Sequence, residues 1–487
     1  MENGLSEKIK TIFPVESVYK DPKTSKFFST LNIPSYLRDW LLKKFSSEDS
    51  NIDLDRIKEF IQNKIPRKEH TQLIREKLIN KQERVEILAK VIVEFDISSG
   101  EALISLPELG IPDKKHQARI ENYLLDKYGN DLLSLEGAWG VVSLEWRVER
   151  LSGKKKEEGR VVCVDFKPFK PYRVNLDYYR EARKEFTINE WIDLILRAMD
   201  YDPEGFINEE QKLWMVSRLL PFVEKRINII ELAPKGTGKS YVYSQLSKYG
   251  WLISGGSVTR AKLFYDLNRR KQGLVSRYDF VVLDEIQTIS FPDKDEIRGA
   301  LKGYLEIGEY RIGDQRGVGE AGLMLLGNVP YEHQSENEKV FCSLPEVFQE
   351  SALLDRFHGF IKGWELPRVK EGMKVKGWAL NVEYFTEVLH LLREELYFRA
   401  TIDKAIEVPQ TADTRDVEAI KRLATGFLKL LFPHVNSPKD ISKEEFEKYC
   451  LLPAMEMRGF IRKQLHLMDR EYSSHLPELK IKNLDKS

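Results

Sequence analysis

The sequence predicts an α/β fold built around a phosphate-binding loop, and three stretches of the chain support that prediction. Each stretch is a largely apolar run of the length of a buried strand, and each ends in polar residues. In an open parallel sheet, residues that follow the strands lie together at the carboxyl edge, where ligands bind. The three runs cover residues 229–232, 280–283 and 323–327. Helical patterns between them complete the alternation expected of an α/β fold.

The first run leads into the phosphate loop. Gly236 and Gly238 allow backbone N–H groups to turn toward an anion, and the helix predicted from Lys239 adds the positive end of its dipole. Lys239 suits contact with the β- and γ-phosphates of ATP, and the Ser240 hydroxyl suits Mg²⁺. Ala233 replaces the usual first glycine of the string, and its small side chain costs little. The predicted nucleotide-binding residues are Pro234, Lys235, Gly236, Thr237, Gly238, Lys239 and Ser240.

The other two runs end in residues suited to hydrolysis. Asp284 follows the second run and suits Mg²⁺ through its water shell, while Glu285 beside it suits polarisation of an attacking water. Asn328 ends the third run, where its amide is expected between the other two motifs and able to orient that water. A turn asparagine without a catalytic role is the alternative. The two neighbouring motifs favour the functional interpretation.

Two arginines farther along the chain are also candidates. Arg356, in the segment 353–357, suits stabilisation of charge on the transferred γ-phosphoryl group, often from a neighbouring subunit. Taken alone, it is typical of an ordinary surface ion pair. Arg415 begins an amphipathic helix predicted over residues 415–423. The alternative for that helix is a lid element with no catalytic role.

Composition and charge limit the remaining possibilities. Of 487 residues, 77 are Lys or Arg and 77 are Asp or Glu, so the net charge is zero and any nucleic-acid surface has to be local. Cys163, Cys342 and Cys450 are far apart, which argues against a zinc site or a disulfide framework and indicates a reducing compartment. Without a signal sequence or an apolar run of membrane-spanning length, a cytoplasmic protein with no membrane partner is expected.

The order of phosphate loop, Asp-Glu strand, strand-terminal Asn and Arg-Phe segment resembles that of the AAA+ ATPases. Within that class, residues 353–357 and 415–423 are similar to the arginine-finger segment and the sensor-two helix of the MCM helicases. The resemblance implies that Arg356 is the finger, Asn328 is sensor one and Arg415 is sensor two. The predicted catalytic set is Lys239, Asp284, Glu285, Asn328, Arg356 and Arg415.

A closer resemblance covers about residues 30–470 and points to the BrxL family, the Lon-like ATPases of BREX phage-defence systems. The motifs that carry it are Trp139-Gly140, Asp165 to Phe169, Phe186 to Ile192, Ser254-Gly255-Gly256, Leu263-Phe264-Tyr265, Gly273-Leu274-Val275 and Tyr278 to Glu285. Longer members of the family carry a Lon-type protease-like domain after the lid, whereas this sequence ends at Ser487. Peptidase activity is therefore not expected.

The resemblance also implies partners. It predicts a homohexameric or dodecameric ring, single or double, around double-stranded DNA, with a role in phage restriction and other BREX components as candidate partners. A finger acting from the next protomer requires such a ring. ATP and Mg²⁺ are the implied cofactors.

Five segments are expected along the chain. They are a helical region over 1–84, a β-rich, barrel-like, DNA-facing domain over 85–176, a helical collar over 177–225, an AAA+ P-loop ATPase core over 226–366, and a helical lid with C-terminal helices over 367–487. Alternating apolar residues from Val85 onward predict the strands. The basic turn at 152–156 is a candidate phosphate contact, but a solvated hairpin tip is favoured because Glu157 and Glu158 follow at once.

Two local groups of cations are candidate DNA contacts. They are Arg269, Arg270 and Lys271 in the basic stretch 258–273, and Arg311 and Arg316 in a glycine-rich hairpin predicted over 309–319. The first group fits a basic helix end, stabilised by its own dipole, equally well. The second occupies the position that carries a DNA-gripping hairpin in MCM-like motors. Contacts to backbone phosphates predict strong salt dependence and little sequence preference.

The function that these patterns favour is a DNA-dependent ATPase that translocates or remodels duplex DNA. One alternative is a Lon-like protein unfoldase or regulatory ATPase without a protease domain. The arginine-bearing hairpin favours nucleic acid, since a pore for polypeptide normally shows an exposed aromatic loop. A scaffold that uses ATP only to assemble is the other alternative, and the presence of Glu285 argues against it.

Overall fold

The computed structural model describes residues 2–29, 33–46, 52–65, 71–96, 99–111, 117–133, 137–150, 157–169, 172–268, 270–329 and 338–482. The chain forms two compact units, one of Met1–Trp40 with Val174–Ser487 and the other of Leu41–Arg173. The α/β class predicted from the sequence is confirmed by the parallel sheet described below. None of the helices in these ranges is both long and apolar enough to cross a bilayer.

The amino-terminal residues belong to the larger unit. Their elements are α1 (Glu2–Ile12), β1 (Ser17–Lys20), α2 (Pro22–Ser29) and the first part of α3 (Ser35–Lys44), which continues past the division at Trp40. β1 pairs antiparallel with a strand far along the chain, with Ser17 opposite Leu380 and Lys20 opposite Gly377. Strand pairing thus joins part of the segment predicted as a helical region over 1–84 to the carboxyl-terminal part, and the bounds of that segment stay a prediction.

The smaller unit contains a closed five-stranded barrel with the strand order β2-β3-β4-β6-β5. Its elements are α4 (Leu54–Lys64), α5 (Thr71–Ile79), β2 (Val85–Asp96), β3 (Glu101–Ser105), β4 (Ala118–Ile120), α6 (Asn122–Leu132), β5 (Ala138–Arg150) and β6 (Glu157–Pro168). Alternate apolar residues such as Ile87, Ala89 and Val91 point into its core. The basic turn 152–156 lies outside the described residues, so its role stays a prediction.

In the larger unit, four helices precede the first strand of the sheet in the sequence. They are α7 (Leu176–Lys184), α8 (Ile188–Ala198), α9 (Glu209–Val216) and α10 (Leu220–Val223). α8 begins where the sequence predicted, because Thr187 accepts from the Glu190 backbone N–H and the Glu190 carboxylate accepts from the Thr187 N–H. All four helices belong to the same unit as the sheet.

The sheet has five parallel strands in the order β15-β7-β14-β11-β8. The strands of this part of the chain are β7 (Ile229–Ala233), β8 (Gly250–Ser257), β9 (Tyr265–Asp266), β10 (Lys271–Gln272), β11 (Phe280–Ser290), β12 (Glu309–Ile312), β13 (Gln315–Val318), β14 (Gly322–Asn328) and β15 (Gly359–Lys362). The helices are α11 (Lys239–Gln245), α12 (Arg260–Leu263), α13 (Lys294–Ile307) and α14 (Ser351–Leu354). The central strands β7 and β14 are buried on both faces, as their largely apolar sequences predict.

The carboxyl-terminal part packs against β15 and completes the unit. Its elements are β16 (Gly377–Leu380), α15 (Val382–Arg393), α16 (Tyr397–Ala405), β17 (Ile406–Glu407), α17 (Thr414–Leu431), α18 (Lys443–Phe446), α19 (Leu452–Met468) and β18 (Lys480–Ile481). Asp413 caps the start of α17, because its carboxylate accepts from the backbone N–H groups of Arg415 and Asp416. The amphipathic helix predicted over 415–423 is thus the first half of a longer one.

Candidate functional site

The phosphate loop joins the central strand β7 to α11. Gly236 and Gly238 have φ values of 86° and 76°, which a residue with a Cβ rarely adopts. A Cβ on Gly238 would also lie 2.3 Å from the Tyr201 hydroxyl oxygen. Thr237 and Lys239 are buried, whereas Lys235 is exposed. The loop is therefore shaped to present backbone N–H groups at the start of α11, which suits an anion.

Asn328 lies between the other two motifs, as the predicted strand order requires. It ends β14, which is flanked by the phosphate-loop strand β7 and by β11. The Lys239 ammonium donates to Asn328 Oδ1 at 2.8 Å. Gln287 Nε2 donates to the Asn328 carbonyl at 2.8 Å and fixes its backbone. Burial lowers the pKa of Lys239, opposed by the nearby carboxylates of Glu231 and Asp284.

Asp284 and Glu285 lie where β11 bends. Asp284 is buried and its Oδ1 accepts from the Glu285 N–H at 2.9 Å. Glu285 is exposed, with a φ of 50° that is unusual for a residue other than glycine. Thr288 Oγ1 donates to the Glu285 carbonyl at 2.9 Å and supports this turn. The bend separates the two carboxylates, so one is held against the sheet and the other faces solvent.

A buried ion pair beneath the phosphate loop was not predicted from the sequence. Arg218 is fully buried, and its Nη2 lies 2.5 Å from Oε1 of Glu231 in the middle of β7. Its Nη1 donates to the Thr237 carbonyl at 2.9 Å. The pair therefore links the central strand to the loop itself. A glutamate within an otherwise apolar central strand is the signal that could have revealed it.

We expect Glu231→Gln to lower the free energy of unfolding by about 3–5 kcal/mol, because it leaves the Arg218 guanidinium buried without a charged partner. Replacing both residues, as Arg218→Met with Glu231→Leu, should recover much of that loss. Urea unfolding of the two variants measures the difference. Glu371→Gln is the control, since Glu371 pairs with Lys374 on an exposed turn. A single variant no less stable than this control contradicts the expectation.

A cavity of about 520 Å³ adjoins the outer side of the phosphate loop at Gly236 and Gly238. Its walls are mostly apolar and include Tyr201, Val369 and Met373. The cavity has room for the base and sugar of a nucleotide whose phosphates lie on the loop.

Beside this cavity, a network of buried charges ties the amino-terminal residues to α11. The Tyr241 hydroxyl donates to Asp200 Oδ2 at 2.6 Å. Asp200 Oδ1 accepts from Lys20 at 2.7 Å and from Arg38 at 2.6 Å. Burial acts to raise the pKa of Asp200, but the Arg38 and Lys20 cations hold that pKa well below its usual range. The first forty residues thus help to position the helix that follows the phosphate loop.

Arg356 lies at the amino-terminal ends of the parallel strands, whereas the phosphate loop lies at their carboxyl-terminal ends. It precedes β15, which runs parallel to β7 with Gly359 opposite Ile229. Two residues farther along the chain, the His358 backbone N–H donates to the carbonyl of Asn228, just before β7 begins. The loop follows the other end of β7, about 13 Å away at the usual rise per residue. Arg356 therefore lies at the end of the strands that is farther from the phosphate loop of its own subunit.

Arg415 lies beside Arg356, although 58 residues separate them in the sequence. Glu306, near the end of α13, lies 2.5 Å from Arg356 Nε and 3.2 Å from Arg415 Nη2. Arg415 Nη1 also lies 3.1 Å from Oδ2 of Asp355. The two arginines that the sequence proposed separately are thus one cluster, distinct from the group formed by Lys239, Asp284, Glu285 and Asn328.

The two candidate DNA elements are neighbouring hairpins. β9 pairs with β10, and β12 pairs with β13. Leu267, at the turn of the first hairpin, lies 3.6 Å from where a Cβ would be at Gly313, the turn of the second. Phe264, just before the first hairpin, packs on Tyr310 in the second with ring centroids 5.3 Å apart.

The hairpin between β9 and β10 changes the interpretation of the basic stretch. α12 ends at Leu263, so Arg270 and Lys271 lie in a hairpin and the alternative of a basic helix end is wrong. Arg270 is exposed at the turn, with a φ of 52°. Arg269 lies outside the described residues, and its contact with DNA stays a prediction.

Arg311 and Arg316 lie directly opposite each other on β12 and β13, and both are exposed. Within the part of the chain that the structure describes, neither has an acidic partner at ion-pair distance; Arg311 donates to the Gly313 carbonyl at 3.3 Å. Like charges directly opposite each other destabilise a strand pair. A bound polyanion would relieve this repulsion, so the pair of arginines suits contact with a polyanion.

Comparison with known proteins shows the same family along most of the chain. A family model described as "Lon-like protease BrxL-like, ATPase domain" matches residues 161–478. A second, "BREX system Lon protease-like protein BrxL N-terminal", matches residues 11–146. The matched ATPase domain contains the phosphate loop, the Asp284-Glu285 turn, Asn328 and both arginines.

Individual relatives agree with these matches. The Lon-like protease BrxL of Escherichia coli O9:H4 (strain HS) is 29% identical over 454 residues, which cover 92% of this chain and 63% of that protein. The protein of the same name from Bacillus cereus (strain H3081.97) is 28% identical over 473 residues, covering 94% of this chain and 67% of that protein. Uncharacterized protein ORF426 of Acidianus filamentous virus 1 is 23% identical over 332 residues, or 61% of this chain and 73% of that protein.

The chain spans about two thirds of the length of the two BrxL relatives. The family resemblance stated from the motifs is confirmed. Because family models match both its amino-terminal residues and its ATPase domain, the chain belongs to the BrxL family.

Proposed function

We propose that the protein is an AAA+ ATPase with a helical lid that forms a hexameric or double-hexameric ring on duplex DNA and couples ATP hydrolysis to DNA translocation or remodelling. The observation that carries this proposal is the position of the polar groups. Lys239, Asp284 and Asn328 gather at one edge of the sheet, while Arg356 and Arg415 lie together at the other. Family membership supports a role in BREX defence, with other BREX components as partners.

At the carboxyl edge, the chain supplies the groups that hydrolysis needs. The loop N–H groups and Lys239 bind the phosphates, and the cavity beside Tyr201 takes the base and sugar. Ser240 and Asp284 would hold Mg²⁺, which when bound neutralises charge on the phosphate oxygens. Glu285 accepts a proton from the attacking water, and Asn328 orients that water through its amide. The solvent-facing position of Glu285 fits this task, because a water has to reach it.

The arginine pair requires a second subunit. Since Arg356 and Arg415 lie away from their own phosphate loop, they reach a γ-phosphate only in a neighbouring protomer. Head-to-tail contact of this kind generates a closed ring or a helical filament, and a ring suits a protein that encircles DNA. Glu306 holds both side chains in the isolated subunit and has to yield to the phosphate oxygens in the assembly.

The paired hairpins are the proposed DNA contact. Arg270, Lys271, Arg311 and Arg316 are brought to one surface although up to 45 residues separate them in the sequence. A surface of a few cations on a protein of zero net charge favours contact with the phosphate backbone over base readout.

We expect the double variant Arg311→Ala/Arg316→Ala to weaken duplex DNA binding and to lower the slope of log K against log salt concentration by about 2, since each phosphate contact contributes about 0.9. Fluorescence anisotropy at several salt concentrations measures both quantities. The matched control is Lys404→Ala/Lys482→Ala, which removes two exposed cations near the carboxyl terminus. An unchanged slope in the arginine variant, or an equal change in the control, would remove the hairpin from the DNA site.

Particle imaging tests the assembly as a whole. With duplex DNA and a non-hydrolysable ATP analogue, the expected particles are rings with density for DNA in the central channel. Particles that stay monomeric, or rings that enclose a polypeptide substrate instead of duplex, would overturn the DNA-motor proposal. The second outcome would favour the unfoldase alternative.

A further inference from the structure

We propose that Arg458 is a positioning residue that holds Arg356 and Arg415 as a single unit for the neighbouring active site. The inference rests on the proposed function, in which both arginines act on the ATP of the next protomer. It adds that α19, which carries Arg458, sets the geometry of that donor pair. Arg458 itself touches no nucleotide and acts through the residues beside the two arginines.

The contacts of Arg458 surround Arg356. Its Nη2 donates to Asp355 Oδ1 at 2.6 Å, on the residue just before Arg356. Its Nη1 donates to two carbonyls, that of Asp355 at 2.9 Å and that of Phe357 at 2.7 Å. One guanidinium therefore fixes the backbone on both sides of Arg356.

The same guanidinium also holds the start of α17. Arg458 Nε donates to Asp416 Oδ1 at 2.7 Å, on the residue just after Arg415. Arg462, one turn along α19, donates through Nε to Asp416 Oδ2 at 2.8 Å. Asp355 also accepts a hydrogen bond from Arg415, so the residues beside both arginines belong to one connected network. The same guanidinium therefore holds the chain beside each of the two proposed trans arginines.

Burial makes this arrangement strict. Arg458 is 0% exposed, and Asp355 and Asp416 are also buried. Away from water, each donor of the guanidinium needs a protein partner, and the planar fork dictates where those partners lie. A lysine keeps the charge but places it on a single nitrogen. It can therefore bind one of the two carboxylates, and the hydrogen bonds to the other carboxylate and to the carbonyls are lost.

The test measures which partner in the ring is affected. In Arg458→Lys, kcat for ATP should fall by about 10²-fold, as for a catalytic group misplaced by about 1 Å, with little change in KM because the phosphate loop of each subunit is intact. Mixing Arg458→Lys with Lys239→Ala should restore activity to about a quarter of wild type, because half of the loops are intact and half of their neighbours donate correct arginines. If the substitution instead damages the active site of its own subunit, mixing should not restore ATP hydrolysis.

Two controls make each outcome decisive. Arg356→Ala mixed with Lys239→Ala tests the proposed function alone, and failure of that mixture would reject the trans mechanism. Arg399→Lys alters another arginine fork, on α16, which donates to Glu418 of α17 at 3.0 and 2.6 Å, and it should leave kcat unchanged. If Arg356→Ala is rescued but Arg458→Lys is not, or if Arg458→Lys has wild-type kcat, the positioning role is overturned.

Asp416→Asn keeps the inference testable where Arg458→Lys does not assemble into rings. It preserves the side-chain volume and weakens the bonds to Arg458 and Arg462. It should lose kcat and be rescued by Lys239→Ala in the same way. Assembly is checked by particle imaging with the ATP analogue before each assay, and an assembled Asp416→Asn ring with wild-type kcat would reject the inference.

Discussion

Replacing Arg356 by alanine should lower ATP hydrolysis by about 10³–10⁵-fold, the range found for arginine fingers. ATP binding to the isolated subunit should be unchanged, because Arg356 lies across the sheet from its own phosphate loop. Hydrolysis measured by phosphate release, together with equilibrium nucleotide binding, separates the two effects. This separation distinguishes a trans-acting finger from a residue that supports the loop in its own subunit.

Mixing sharpens this first prediction. Arg356→Ala subunits keep an intact phosphate loop, and Lys239→Ala subunits keep an intact finger. Neither variant alone should hydrolyse ATP, and the mixture should. Arg180→Ala serves as control, because Arg180 pairs with Asp177 and Glu395 on another surface. A mixture as inactive as its components would mean that Arg356 does not serve a neighbour, and the argument for a ring would lose its physical basis.

Replacing Glu285 by glutamine should lower kcat by about 10²–10⁴-fold, the usual contribution of a general base. The glutamine amide keeps the shape of the side chain but cannot accept the proton of the attacking water. ATP affinity should remain, since Lys239, Ser240 and the loop glycines are unaltered. Such a variant should also trap assembled rings for imaging.

The control for this second prediction is Glu346→Gln, which changes an exposed glutamate paired with Lys294. It should hydrolyse ATP at the wild-type rate. If Glu285→Gln binds ATP and hydrolyses it as fast as wild type, another group is the base. The φ of 50° at Glu285 then needs a structural explanation, because a strained turn would be maintained with no catalytic purpose.

Much of the fold could be predicted, because the apolar pattern of each segment and the order of the segments along the chain are enough to locate its strands and helices. Apolar runs ending in polar residues located β7, β11 and β14, and the structure places Asn328 between the other two motifs. The helix start at Thr187 followed from its capping pattern. The strands β2, β3, β5 and β6 followed from alternation.

The features that the sequence did not reveal depend on contacts between residues that are far apart in the chain. The pairing of the first forty residues with the rest of their unit was not predicted, because the partner of β1 is β16, about 360 residues away. A basic helix end and a basic hairpin turn look alike in residues 258–273, and only the pairing of β9 with β10 decides between them. The support of Thr237 by Arg218 was not predicted, because the only signal for it in the sequence is the glutamate at position 231 in an apolar strand, and that signal does not name its partner.

The sequence by itself determined the chemistry available to this protein: a phosphate loop at Lys239, carboxylates at Asp284 and Glu285, an amide at Asn328 and arginines at 356 and 415. Their types and order follow from local constraints of strand, turn and helix start. Only the tertiary structure decided that the arginines share Glu306 on the far edge of the sheet and that two hairpins meet at Leu267 and Gly313. Such contacts depend on how whole elements pack, and packing energy belongs to residues far apart in the chain.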